Sequence, residues 1–352
     1  MPDLDKNDLS AYDLGHQNIA DLAEKIVIEQ CNIPIFAGFK RRIYWLRLDS
    51  VCSGRSGLIS GNKVFKLLPS IKKAKTEGVS QLISFGGAWS NHLHALAAAS
   101  QDYALDTVGI VRGERKPQLT ACLSDAVEMG MRLQFVSRAD YQRLQQPENW
   151  PQLQRQFGSL STQSMVVPVG GSNIDGVLGA YDMGQAILQR LDSDVSDIWL
   201  AAATGGTAAG MIAALQDSYD PEVSQAATRR RQVTAVSVLR HCELAHEIKV
   251  FLTQIAALKS RKMCEKGTAS QPWRLLDEYH CGGYARVNKD LLAFHQQLEH
   301  QLQEPLDQVY MAKLLFGLWS SLIAEANSGA DTQNAGSIAV VWSGGQQGRR
   351  GL

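Results

Sequence analysis

The sequence predicts an α/β protein built on parallel β-sheet, and three observations carry that expectation. Short apolar runs alternate with stretches of helical period, the pattern of βαβ units. Several runs end in glycine pairs, which punctuate a strand before the next helix begins. The length of 352 residues, with 45% hydrophobic and 20% charged residues, suits a globular chain of about two domains, or one α/β domain carrying an insertion.

The elements follow in order. Ile43-Tyr44-Trp45-Leu46 reads as a strand, 64–77 as a helix and 81–85 as the next strand, broken by Gly86-Gly87. An alanine-rich helix covers 91–100, a strand 107–111, a helix 119–129, and strands 132–136 and 164–169. Then come a helix over 174–191, a strand over 197–203, a helix over 208–215, a strand over 232–238 and a helix over 246–257. Late helices at 291–302 and 310–327 precede a final strand at 337–342. The stretch 140–163, rich in Gln, Arg and Pro, reads as a mobile helical excursion on the surface. One doubly wound sheet accounts for this order, and two interleaved sheets account for it equally well.

Thirty-five basic residues balance thirty-five acidic ones, so no net field draws the chain to nucleic acid or to an anionic membrane. The basic clusters (Lys72, Lys73, Lys75; Arg229, Arg230, Arg231; Arg349, Arg350) are short, lack interleaved aromatics and read as solvated charges. Cys31, Cys52, Cys122, Cys242, Cys264 and Cys281 have no paired spacing, which indicates neither a zinc site nor a disulfide framework, and no metal is expected. Residues 1–10 contain no apolar signal-peptide core, and nowhere do the roughly 18 unbroken apolar residues of a membrane span occur. A reduced, cytoplasmic protein is the expectation.

The chemistry is concentrated in loops. Ser60-Gly61-Asn62-Lys63, with Lys66 close behind, places lysines where a loop enters an apolar helix (Phe65, Leu67, Leu68, Ile71). A partly desolvated amine there is a usable nucleophile near neutral pH; the plainer reading is a helix-start lysine with a wet head. Thr204-Gly205-Gly206-Thr207, between an apolar strand and a helix, has the form of an anion cradle, although its glycines also suit close helix–strand packing. It lacks the Lys-Ser/Thr ending of a Walker loop, and the spacing of Gly176, Gly179 and Gly184 is only a weak dinucleotide signal. Gly86-Gly87 is followed by Ser90, Asn91 and His92, more hydrogen-bonding side chains than a cap requires. His92 and His94 are two apart and diverge on a helix, a poor metal pair. Gly170-Gly171-Ser172-Asn173 and Ser343-Gly344-Gly345 repeat the glycine-rich theme. A reactive lysine among four such strand ends suggests one flat phosphorylated cofactor, pyridoxal 5′-phosphate.

With Arg47, Asp49, Lys66-Leu67, Gly283-Tyr284 and Val309-Tyr310, these motifs form an ordered set from Ile43 to Gly348. The set resembles the fold type II pyridoxal-phosphate enzymes, in the branch holding 1-aminocyclopropane-1-carboxylate (ACC) deaminase and D-cysteine desulfhydrase. The resemblance implies a tryptophan synthase β-like fold: two α/β domains with twisted parallel-type sheets and the active site in the cleft between them. Residues 1–66 and 174–352 would form the large cofactor domain, and 67–173 an inserted smaller one.

On the same resemblance Lys63 would bind the cofactor aldehyde covalently and carry the Cα proton. Asn91 would bond the phenolic oxygen, and Thr204, Gly205, Gly206 and Thr207 would hold the phosphate, with Asn62 beside them. Ser90 would contact the substrate carboxylate or assist proton transfer, and His92 and Tyr284 would border the substrate. Tyr284 and Tyr310 match the two active-site tyrosines of the deaminases. The acid that follows the second tyrosine in those enzymes is here Met311, whereas Ser343 matches a hydroxyl that desulfhydrases turn to the pyridine nitrogen. Leu48 stands where relatives often carry an acid.

The implied reaction is β-elimination from a small amino acid, D-cysteine giving pyruvate, ammonia and sulfide, in a homodimer that binds neither nucleic acid nor membrane. ACC deamination is the alternative within the family, followed by a racemase or dehydratase acting on serine-like substrates. Outside it stand a non-catalytic pyridoxal-phosphate-binding protein and a nucleotide-binding Rossmann-like protein, the latter without a convincing fingerprint.

Overall fold

A computed structural model of the chain describes residues 19–54, 56–158, 163–218, 231–259, 273–329 and 335–344. Residues 1–10, Cys264, Arg229, Arg230, Gly345, Arg349 and Arg350, all singled out above, lie outside the described residues. The strands are β1 (Val27–Gln30), β2 (Ile43–Arg47), β3 (Cys52–Ser53), β4 (Ile59–Ser60), β5 (Gln81–Gly86) and β6 (Asp106–Arg112), then β7 (Arg132–Val136), β8 (Ser164–Val167), β9 (Val195–Ala202), β10 (Gln232–Ser237), β11 (Trp273–Leu276) and β12 (Ser337–Trp342).

They form two main sheets rather than one. The larger runs β1-β2-β12-β9-β10-β11 and the smaller β7-β6-β5-β8, with β3 and β4 as a separate hairpin. Every pairing in the smaller sheet is parallel, and in the larger only β1 against β2 is antiparallel. Such sheets need cover on both faces, and the central strands show it: every residue of β5 and of β12 is buried.

Local chemistry sets the helix ends. Ser90 accepts from the Leu93 amide at 3.2 Å to start Asn91–Tyr103, and Asn173 accepts from the Gly176 amide at 2.9 Å to start Ile174–Arg190. Pro69, inside Asn62–Thr76, removes the amide that would bond the Phe65 carbonyl. Gly179 lets the helix Ile174–Arg190 close over that carbonyl, since a Cβ there would overlap its oxygen. Gly184 faces Ala214, and Gly210 lies on Ala180, so the helices Ile174–Arg190 and Gly206–Asp217 pack almost backbone to backbone. Gly179 and Gly184 are therefore packing glycines, not a dinucleotide fingerprint.

Within the 140–163 stretch, residues 140–157 are mostly helical and are packed rather than a mobile excursion, while 159–162 lie outside the described residues. Tyr141 and Leu144 of Arg138–Leu144 and Leu153 of Trp150–Phe157 are buried with Ile83, Phe85, Val108, Ile110 and Val166 of the smaller sheet. Its polar composition belongs to the outer face only. No helix among the described residues is long and apolar enough to cross a membrane.

Candidate active site

An open cleft of about 630 Å³ gathers side chains from both sheets. The segment after β9 supplies Thr204–Thr207, the end of β12 supplies Ser343 and Gly344, and the turn after β5 leads to Asn91, His94 and Ala95. The loop after β4 brings Asn62, Lys63 and Lys66. All of these follow the carboxyl ends of strands, where α/β sheets bind ligands. Gly61 (φ +68) makes the close approach: a Cβ there would strike the Ser343 carbonyl, which accepts from the Asn62 amide at 3.1 Å.

One end of the cleft is built for an anion. The helix Gly206–Asp217 begins at Gly205 in the left-handed region (φ +72) with no side-chain cap, leaving its first amides for a ligand. Lys66, 2% exposed, donates to Ser172 Oγ at 2.8 Å, and the Ser172 and Thr204 hydroxyls lie 2.5 Å apart. A Cβ at Gly206 would sit 3.0 Å from Lys66 Nζ and 2.9 Å from Ser172 Oγ, so only glycine leaves that space open. Asn62 Nδ2 donates to Thr207 Oγ1 at 3.2 Å. Burial, and then the charge of Lys63, holds the Lys66 amine well below the usual lysine range, and an anion bound beside it would favour its charged form.

Lys63 lies on the same helix, one turn earlier. Its Nζ donates to Asn62 Oδ1 at 3.1 Å, and burial lowers its pKa to about 8. The amine is thus poised as nucleophile or base.

At the other end polar atoms wait without partners. Asn91 Oδ1 is buried and unbonded among the described residues. Tyr310 lines the cleft; its backbone is fixed by buried Asp307, whose carboxylate accepts from the amides of Val309, Tyr310 and Met311 at 3.1, 2.6 and 3.0 Å. Burial, then Asp307, raises the Tyr310 phenol far above its usual value, so it remains a proton donor. Ser343 Oγ lies 4.0 Å from Met311 Sδ.

Three expected site residues stand off the cleft wall. Ser90 is a buried helix cap. His92 turns inward, its Nε2 at 2.8 Å from Ser84 Oγ, and burial followed by the charges of Lys63 and Lys66 keeps it neutral. Tyr284 rests on the Gly86-Gly87 turn, where a Cβ on Gly87 would lie 3.1 Å from its ring, and Arg112 stands 5.8 Å from that ring. Its hydroxyl is enclosed, unbonded among the described residues and held protonated by burial above all.

Sequence reasoning gave Lys66 and Ser172 no role of their own and left Asp307 and the His94–Asp125 pair (3.2 Å) unread. For Lys66 the signal was available, because positions i and i+3 share a helix face with Lys63.

Lys63 and Lys66, the uncapped helix start and the unbonded Asn91 amide together fit a flat ring carrying a phosphate and an aldehyde. No group of three or more His, Cys, Asp or Glu among the described residues could hold a metal.

No protein-family model matches the chain. A D-cysteine desulfhydrase of Klebsiella pneumoniae (strain 342) is 26% identical over 264 residues, 74% of this chain and 76% of that protein. Among solved structures, an ACC deaminase homologue superposes with a TM-score of 0.72 at 22% identity, covering 95% of this chain and 97% of its own. A hydrogen sulfide-producing enzyme of Fusobacterium nucleatum gives 0.59 at 13% identity, covering 95% and 99%.

Proposed function

We propose that this chain is a fold type II pyridoxal-phosphate-dependent enzyme of the branch of D-cysteine desulfhydrase and ACC deaminase, a reading supported by its similarity to both, and the reaction follows from that premise. The reaction is β-elimination from a small amino acid: D-cysteine and water give pyruvate, ammonia and hydrogen sulfide.

The observation that carries this choice is Met311 beside Ser343, in a cleft with no carboxylate in its lining among the described residues. Pyridoxal phosphate, when bound, supplies a ring that withdraws electrons from the substrate Cα, more weakly beside a neutral hydroxyl than beside an acid. Loss of a β-leaving group relieves charge at Cα as it forms, so a weaker sink suffices. Opening an unactivated cyclopropane has less such relief, and ACC is the poorer substrate.

The side chains divide the work. Lys66, Ser172, Thr204, Thr207 and the helix start at Gly206 would hold the phosphate, while Asn91 would serve the phenolic oxygen and Ser343 the pyridine nitrogen. Lys63, partly neutral near physiological pH, would hold the aldehyde and take up the Cα proton at Nζ. Tyr310, kept protonated, donates to the departing sulfur.

Purified protein incubated separately with D-cysteine, D-serine derivatives and ACC should release pyruvate and sulfide from D-cysteine, and Lys63→Ala should release neither. Formation of 2-oxobutyrate from ACC, with D-cysteine untouched, would overturn the choice. An amino-acid-responsive visible spectrum separates an enzyme from a non-catalytic cofactor carrier.

A further inference from the structure

Lys313 is wholly buried, 0% exposed, on the helix Met311–Asn327. Its Nζ donates to three backbone carbonyls: Val238 at 3.1 Å, His280 at 2.8 Å and Gly283 at 2.7 Å. An ammonium has three donors, and each is taken. No ion pair accompanies it among the described residues. Burial lowers its pKa to about 8 against the opposing fields of Cys281 and Asp307, so at neutral pH it carries its charge. A buried charge of this kind stabilises a fold less than a well-packed apolar side chain would. What it holds together is therefore the informative point.

The three oxygens belong to two loops that flank the cleft. Val238 follows β10, and its amide bonds Ala202 at 3.0 Å, at the strand end that leads into Thr204–Thr207. His280 and Gly283 belong to the loop that carries Tyr284. Backbone there is repeatedly left-handed, at Cys281 (φ +52), Gly282 (+93), Gly283 (+122) and Ala285 (+53). Such a conformation persists only where surrounding contacts impose it.

We propose that Lys313 is a built-in monovalent cation: its ammonium fills a three-carbonyl site that an ammonium or potassium ion could otherwise occupy, and thereby positions the Tyr284 loop against the Gly86-Gly87 turn that leads into the cleft. It acts through that loop as a positioning residue. The claim about turnover rests on the proposed β-elimination, whereas the cation site and the loop order do not.

The test uses the cofactor-loaded wild type, Lys313→Ala and Lys313→Met. In Lys313→Ala, amide hydrogen exchange across 280–286 should quicken about tenfold or more, because the carbonyls lose their common partner. Ammonium or potassium chloride should restore protection and raise the melting temperature, while tetramethylammonium chloride at equal ionic strength should not. Sulfide release should return with the protection. Lys313→Met fills the space without a charge and should show the loss with no recovery. If Lys313→Ala folds only when refolded in ammonium or potassium, the proposal is equally supported. Wild-type exchange in Lys313→Met would overturn it, as would a loss in Lys313→Ala that the three salts relieve equally or not at all. If the protein turns over no amino acid, exchange and melting temperature still decide this question, and only the reaction fails.

Discussion

The two ends of the cleft differ in how completely their polar groups are satisfied. At the phosphate end Lys66, Ser172 and Thr204 form a continuous chain of hydrogen bonds, and Asn62 is bonded to Thr207. At the substrate end Asn91 Oδ1, and behind the cleft wall the Tyr284 hydroxyl, are buried without partners among the described residues. The first end is assembled in advance around one buried amine that has no counter-charge beside it. The second keeps unmet donors and acceptors, which a ring and a substrate would satisfy. Anchoring and chemistry thus make opposite demands on neighbouring loops: a fixed anchor costs no reorganisation on binding, while unmet polar atoms give specificity for whatever completes them.

The largest expected effect tests the anchor. Lys66→Met removes the buried amine, a cation once the phosphate is bound, and should weaken pyridoxal phosphate binding about 100-fold, from the ~3 kcal/mol that a hydrogen bond to a charged group contributes. Pyridoxal without its phosphate should bind wild type and variant alike in equilibrium dialysis. An equal loss for both ligands would show that Lys66 supports the fold of the cleft and not the phosphate.

A smaller effect separates the amine that reacts from the one that anchors. The folded-state pKa of Lys63, about 8, lies below the ordinary 10.5, so the folded protein releases this proton first as pH rises. The cost of burying the ammonium is fully present below pH 8 and vanishes between about 8 and 10.5, so stability increases through that window. Lys63→Met should stabilise the cofactor-free protein by about 2 kcal/mol at pH 7, allowing for the part of the side chain still in water. Denaturant unfolding of both proteins should show the difference shrinking toward pH 10. A constant difference would mean that Lys63 is not desolvated as described.

Much of this architecture is legible in the sequence where local chemistry decides it. Strand β5 is a largely apolar run (Leu82, Ile83, Phe85) closed by glycine, and Asn173 caps the helix that the 174–191 periodicity anticipates. The choice between one sheet and two is not local. Strand β12 inserts between β2 and β9, setting Ile338 opposite Ile43, and no periodicity encodes a partner so distant in the chain. Edge strand β1, largely exposed with Glu29 and Gln30, carries no apolar run to detect. Within the site, helical geometry sorts residues that look alike in sequence. Successive side chains diverge by about 100°, so Asn91, His94 and Ala95 reach the cleft while His92 between them turns to Ser84. Lys313 was invisible for a different reason: its three partners are backbone carbonyls, which leave no mark on residue identity.

The smallest effect is the most pointed, because stability and activity should move in opposite directions. The Tyr284 hydroxyl is enclosed and unbonded among the described residues, so Tyr284→Phe removes an unmet polar group and leaves the ring on Gly87 in place. The cofactor-free protein should gain up to ~1 kcal/mol in denaturant unfolding, since a buried polar atom without a partner carries an uncompensated desolvation cost. Sulfide release from D-cysteine should fall, because the donor intended for the bound substrate is gone. A loss of stability would show that the hydroxyl is bonded in the free protein, and the contrast between the two ends would disappear. Stability gained with turnover unchanged would leave the contrast standing but remove Tyr284 from the reaction, with Tyr310 as the phenol that remains on the cleft wall.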